Sequence, residues 1–127
     1  MTFQWADYLD LAEALLNHRT TLAQEEACCR ASISRAYYAV FCAARNFARD
    51  QEGLSLRHSG ADHQRVQRHF QNGQTREHQQ LQVLLDRLRQ RRNEADYVDS
   101  LPNVVALAQG TIQYARQALQ TLETLRS

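Results

Sequence analysis

Residues 33–48 read ISRAYYAVFCAARNFA. Ile33, Tyr37, Val40, Phe41, Ala44, Phe47 and Ala48 recur at helical spacing, while Ser34, Tyr38, Arg45 and Arg49 fall on a more polar flank. A one-sided apolar stripe of this length predicts a long helix lying against a core. Thr20 and Thr21 are candidate caps for its start, and the helix reaches about Asp50, where Gly53 and the polar stretch through Gly60 break it.

Four more helical stretches follow from the same reading. The first covers about Gln4 to Asn17, with Leu9, Ala12 and Leu16 inward. Ser59 and Asp62 cap a short third helix whose inward pair is Val66 and Phe70. After the loop Asn72 to Thr75, Thr75 caps a fourth helix with Leu81, Leu84, Leu85 and Leu88 on one face. Arg92 stands four residues beyond Leu88 on that stripe, so it lies at the core's edge or is aimed at a cleft. Ser100 and Pro102 open a last helix that buries Val105, Ala108, Ile112, Ala115, Leu119 and Leu122. Short loops and one-sided stripes predict an all-α, up-and-down bundle of four long helices plus one short helix, a single domain over residues 1–127.

Composition agrees. Apolar residues make up 43% and charged residues 23%, which argues against disorder, and one proline with four glycines leaves little punctuation for a many-stranded fold. No apolar run is long enough to span a bilayer, and no basic stretch precedes an apolar core as in a secretory leader, so a cytoplasmic protein without membrane partners is expected. Cys28, Cys29 and Cys42 are too few and too irregular for a disulfide framework and read as small core residues of a reducing compartment.

The net charge of +1 hides an asymmetry. Residues 57–92 hold eight arginines against Asp62, Glu77 and Asp86, a surplus of five positive charges, and four of the five histidines. The rest of the chain has seven arginines against eleven carboxylates. A basic stretch of this kind marks either a phosphate-facing surface or a solvated helix face. Lysine is absent throughout, a whole-chain bias that carries no functional meaning by itself.

Glycine-rich phosphate loops, paired-cysteine zinc spacings and HExxH are all missing. His58, His63 and His69 are five and six residues apart, which places no two neighbours on one helical face, so no metal and no cofactor is predicted. A Cys42 nucleophile would need a histidine base that its local sequence does not supply. The strongest site candidate surrounds RRNEADY, where Arg91, Arg92, Asp96 and Tyr97 bring two cations, an anion and a phenol to one helix end. The alternative there is a charged helix end with an ordinary ion pair.

Three stretches, SRAYYAVFCAAR from Ser34, RHSGADHQRVQRHF from Arg57 and RRNEADY ending at Tyr97, resemble the HEPN domain family. The nearest likeness is its small stand-alone prokaryotic branch, marked by R-x-YYA-x-F and R-x-x-ADY, and it covers about Ala6 to Leu122. The resemblance implies a bundle of four to five helices that forms homodimers. It also implies an RNA or nucleotide ligand and a protein partner such as a minimal nucleotidyltransferase, in a toxin–antitoxin or defence-type system. Members that are ribonucleases cleave RNA without metal, through an R-x4–6-H motif at the protomer interface. Carried over by position, Arg92 and Tyr97 are the catalytic candidates, with Arg91, Asp96, Tyr38, Arg57, His58 and His63 as RNA- or nucleotide-binding candidates.

The chain departs from the ribonuclease pattern at the base. No histidine follows His78, Tyr97 stands where one would complete R-x4–6-H, and Cys42 stands where relatives often carry histidine. A tyrosine with a pKa of about 10 is a poor general base at neutral pH, so a base would come from Tyr97 or, across the bundle, from His58 or His63. Three functions remain open: a binding module acting with a partner, a metal-independent endoribonuclease, and a structural dimerisation domain. A binding module requires several of Arg57, Arg65, Arg68, Arg91 and Arg92 on one surface. A structural domain would show them dispersed and paired with carboxylates.

Overall fold

A computed structural model describes residues 2–127, and five helices are its only regular elements among them. They are α1 (Asp7–Asn17), α2 (Glu25–Glu52), α3 (Asp62–Gln71), α4 (Arg76–Tyr97) and α5 (Val104–Arg126). At 28, 22 and 23 residues, α2, α4 and α5 form the frame; α1 and α3, at 11 and 10, are both short. The bundle therefore has three long and two short helices, where the sequence predicts four and one. The difference lies at the first helix: Gln4 to Ala6 form a turn, with Asp7 N–H bonded to the Gln4 carbonyl at 2.9 Å, and α1 starts only after it.

Side-chain links fix the directions. Arg30 near the start of α2 donates to the Ala95 carbonyl at the end of α4, and Glu52 at the end of α2 meets His78 at the start of α4, so these two run antiparallel. Buried Ser32 of α2 donates to the Ala12 carbonyl of α1 at 2.7 Å. Arg116 of α5 bonds Glu13 of α1 at 2.8 Å. Arg19 just beyond α1 meets Glu25 at the start of α2. Glu13 to Leu16 of α1 face Arg116 back to Ile112 of α5, and Arg76 to Arg87 of α4 face Thr124 back to Tyr114. Helices α1, α2, α4 and α5 thus alternate up and down.

The third helix breaks the alternation. His63 reaches Tyr37 and His69 reaches Glu52, so α3 runs in the same direction as the second half of α2. An extended return over residues 53–61 makes this geometry, and its Leu54 and Leu56 pack on the core. It begins at Gly53, whose φ of +74° suits glycine, and the Leu54 N–H bonds back to the Ala48 carbonyl at 2.9 Å.

The inward stripes lie where their periods put them. Tyr37, Val40, Ala44 and Ala48 of α2, Val66 and Phe70 of α3, and Leu81, Leu85 and Leu88 of α4 are buried together with Ala108, Ile112, Ala115 and Leu122 of α5. Val105 and Leu119 are only partly buried against that core. Each fully buried large side chain contributes about 1.5–3 kcal/mol.

Capping is predicted less well than burial. Thr75 caps α4 as expected, accepting from the His78 N–H at 3.1 Å. Thr20 and Thr21 do not cap α2: they stand in the turn leaving α1, and the Gln24 side chain takes the Ala27 N–H at 2.7 Å instead. Nor does Ser59 or Ser100 cap a helix, since α3 begins after Ala61 and α5 after Asn103, neither with a side-chain cap. Asp62 looks backward, its carboxylate accepting from the backbone N–H groups of Arg57 at 2.9 Å and Ser59 at 3.4 Å. Those bonds hold its carboxyl below the usual range and pin the loop where His58 takes a left-handed φ of 56°.

Candidate functional site

Arg92 leaves the α4 leucine stripe at the edge of the core and points back over α2. Its guanidinium sits among three tyrosines, 5.3 Å from the Tyr38 ring centre, 5.6 Å from Tyr97 and 6.0 Å from Tyr37. Nη2 donates to the Tyr38 hydroxyl at 2.8 Å and Nη1 to Asn93 at 3.2 Å. Nε lies 2.9 Å from Asp96 Oδ2, an ion-pair distance, but its N–H direction misses the carboxylate and Nε–H has no hydrogen-bond acceptor. Ser34 anchors the same Asp96 oxygen from α2 at 3.4 Å. Of five guanidinium N–H groups, two are used within the protein and one is buried, leaving two for a ligand. Because the Tyr38 oxygen accepts from Arg92, its own O–H hydrogen is free to donate outward.

One helix turn along, the return segment and α3 bring His63 against the same tyrosines. The imidazole stacks on Phe41 with ring centres 4.1 Å apart and planes 6° from parallel, and it meets the Tyr38 ring edge-on at 6.2 Å. Nδ1 is 2.5 Å from the Tyr37 hydroxyl, while Nε2 has no partner among the described residues. Burial pushes the His63 pKa down, and Arg89 and Arg92 push it further, so the ring is neutral at pH 7. Burial raises the Tyr37 phenol, which stays protonated. His63 faces a cleft of about 570 Å³ whose walls include Tyr38, Cys42, Arg45, Arg49 and His58.

The predicted site residues divide accordingly. Arg92, Asp96, Tyr38 and Tyr97 form one cluster, and His63 joins it through Tyr37 and Tyr38. Tyr97 is 71% exposed, its ring against Arg92 and its hydroxyl without a hydrogen bond. His58 stands on the far lip of the cleft and Arg57 is exposed in the same loop. Arg91 turns to Glu94, 2.7 Å away. Cys42 lines the cleft but is buried, and that burial raises its thiol pKa despite Arg45 and Arg35 nearby, so it is not a poised nucleophile.

The arginine surface is not the one the basic stretch suggests. Arg65 and Arg68 line a different cleft, with Glu52, His69 and His78. Around Arg92 stand instead Arg89, whose field reaches Tyr37 and His63, and Arg35 and Arg45 of α2. None of these three has a carboxylate within ion-pair distance among the described residues, whereas Arg19, Arg30, Arg49, Arg91, Arg116 and Arg126 all do. Two signals pointed here: Arg35 and Arg45 flank the tyrosine pair on α2, and His63 lies three and seven residues before Val66 and Phe70, on their inward face. Comparison of the chain with protein-family models, with curated proteins and with solved structures found no match.

Proposed function

We propose that this chain is a HEPN-like RNA- or nucleotide-binding module. It acts as a homodimer with a protein partner such as a minimal nucleotidyltransferase, in a system of the toxin–antitoxin or defence type. The observation that carries the phosphate-binding part is the Arg92 cage. A guanidinium fixed by Asp96 on its Nε side, with two N–H groups to spare, stands beside the Tyr38 O–H donor, and neighbouring Arg35, Arg45 and Arg89 have no carboxylate within ion-pair distance among the described residues. That arrangement suits a phosphodiester, which accepts charge-assisted hydrogen bonds from both. The test is retention of mixed RNA by the purified protein at several salt concentrations, without metal, beside Arg92→Ala. Salt-dependent retention weakened by the substitution is the expected result; equal retention by both proteins overturns the role of Arg92.

His63 favours a second reading, a metal-independent endoribonuclease. In the tautomer whose Nδ1–H donates to the Tyr37 oxygen, the neutral imidazole carries its lone pair on the unpartnered Nε2, one tyrosine away from Arg92, as a general base requires. In this reading Nε2 takes the proton of a ribose 2′-hydroxyl, whose oxygen attacks the adjacent phosphorus held by Arg92 and Tyr38. The P–O5′ bond breaks, leaving a 2′,3′-cyclic phosphate, and the 5′-oxygen takes the proton back from Nε2–H. Metal-free RNA cleavage lost in both Arg92→Ala and His63→Ala but kept in Tyr97→Phe would establish it. Retention without cleavage leaves the binding module.

A further inference from the structure

The segment before α1 and the helix's first turn pack three aromatic rings onto the same face. Phe3, Trp5 and Tyr8 meet edge to face at 5.0, 5.2 and 5.7 Å between centres, and Phe3 is 49% exposed. Two arginines of α2 lie over them. Arg45 covers Trp5 at 5.3 Å, and Arg35 lies 5.1 Å from Tyr8 and 5.1 Å from Tyr38. Tyr8, Arg35, Tyr38, Arg92 and Tyr97 alternate in series, and the Trp5–Arg45 pair joins that series where Trp5 meets Tyr8.

This stripe is unusual for a solvated surface. Arg35 makes no hydrogen bond and no ion pair among the described residues, and Arg45 bonds only its neighbour Asn46. Half-buried guanidinium groups with no carboxylate partner, 5.1–5.3 Å from aromatic ring centres, offer planar cationic groups beside those rings. Nucleobases stack on such groups and on exposed rings, while phosphates take the unused N–H groups. Arg45 also lines the His63 cleft, so the stripe is continuous with the candidate site.

We infer that Phe3, Trp5 and Arg45 form a base-stacking subsite for single-stranded RNA whose phosphate is held at Arg92 and Tyr38. The inference rests on the phosphate-binding reading and extends it to a ligand class. Tyr38 and Arg45 are seven residues apart on one helix, about 10 Å along its axis, so a ligand touching both places a phosphate and a base about that far apart. Unpaired bases are required, because paired ones keep their faces stacked within the duplex.

Trp5 is the only tryptophan, so its emission reports the subsite directly. The probes are a short single-stranded oligoadenylate and the same sugar–phosphate chain without bases. The oligoadenylate is expected to quench Trp5 and to bind about tenfold more tightly than the baseless chain, which leaves the emission unchanged. Arg45→Gln and Trp5→Leu each remove about tenfold of oligoadenylate affinity, read by anisotropy of labelled probe, and only Arg45→Gln lowers the salt dependence. Equal binding of both probes with Trp5 emission unmoved, while Arg92→Ala still weakens binding, overturns the subsite and leaves phosphate binding standing. No binding of either probe overturns both. Protection of Trp5 from acrylamide that grows with protein concentration also overturns the subsite, assigning the rings to an interface between copies of the chain.

Discussion

Replacing Tyr37 by Phe removes one hydroxyl from the centre of the site and leaves the ring packing in place. Tyr37 is 2% exposed, its ring stacks on Phe41 at 5.7 Å, and its hydroxyl has a single partner, His63 Nδ1 at 2.5 Å. A neutral hydrogen bond contributes about 0.5–1.5 kcal/mol net, and stranding a buried partner costs more. His63 is only partly buried, so water relieves some of that, and about 1–2 kcal/mol is the expected loss. With about 2.1 cal/mol/K of unfolding entropy per residue over 127 residues, each kcal/mol moves Tm by about 4 °C, a fall of roughly 4–8 °C. Calorimetry and urea unfolding at pH 7.5 read the loss directly, with the urea slope unchanged. His63→Phe keeps the stack on Phe41 but strands the Tyr37 hydroxyl, so the two substitutions share one bond. In the His63→Phe background, Tyr37→Phe is then expected to cost less than about 0.5 kcal/mol. Additive costs, or a Tyr37→Phe loss below about 0.5 kcal/mol in the parent, would refute the bond.

The same histidine makes stability depend on pH. Its folded pKa is depressed, by burial first and then by Arg89 and Arg92, so between that value and the unfolded value of about 6.5 the unfolded chain binds more protons. Stability is complete above about pH 6.5 and declines as pH falls toward the depressed value, below which this contribution is flat. His63→Phe is expected to remove that slope in urea titrations from pH 7.5 to about 5. Gly73→Ala and Gly110→Ala should shift the urea midpoint in opposite directions. A Cβ at Gly73 overlaps the His78 ring, which Thr75 and Glu52 hold at 2.6 and 2.9 Å, for a cost of about 1–3 kcal/mol; at Gly110, inside α5, it meets nothing and helix propensity adds about 0.5–1 kcal/mol. All three thiols are buried, and burial raises the Cys29 and Cys42 pKa values, so an aromatic disulfide reagent should label the native protein slowly and all three cysteines at once in urea.

The helices and their buried faces were legible because helical periodicity is local: Leu81 to Leu88 and Val66 with Phe70 each declare a face within a few turns. Chain direction was not. Nothing in GLSLRHSGA states that it runs extended and carries α3 back alongside α2, since that depends on Leu54 and Leu56 finding the core. Caps failed for the same kind of reason. Gln24 caps α2 in place of Thr20 and Thr21, although threonine is the commoner cap, because the turn leaving α1 ends beyond both.

The candidate site shows the limit more sharply. Arg92 and Asp96 stand four residues apart on one helix, a pairing visible in sequence, whereas Arg92 and Tyr38 meet across 54 residues. A search for a base by R-x4–6-H spacing looks only along α4 and finds Tyr97. The imidazole nearest the cluster comes from another helix. Yet His63 and Arg92 share a property that needs no tertiary knowledge: each is a polar residue prolonging an apolar stripe, His63 ahead of Val66 and Phe70, Arg92 beyond Leu88. Stripes that pack on one core have ends that meet at its rim. Antiparallel α3 and α4 bring the start of one stripe beside the end of the other, where the α2 tyrosines separate the two side chains by little more than a ring. A polar residue that extends an apolar face is therefore a stronger pointer to a site than a motif spacing, because the core itself delivers it there.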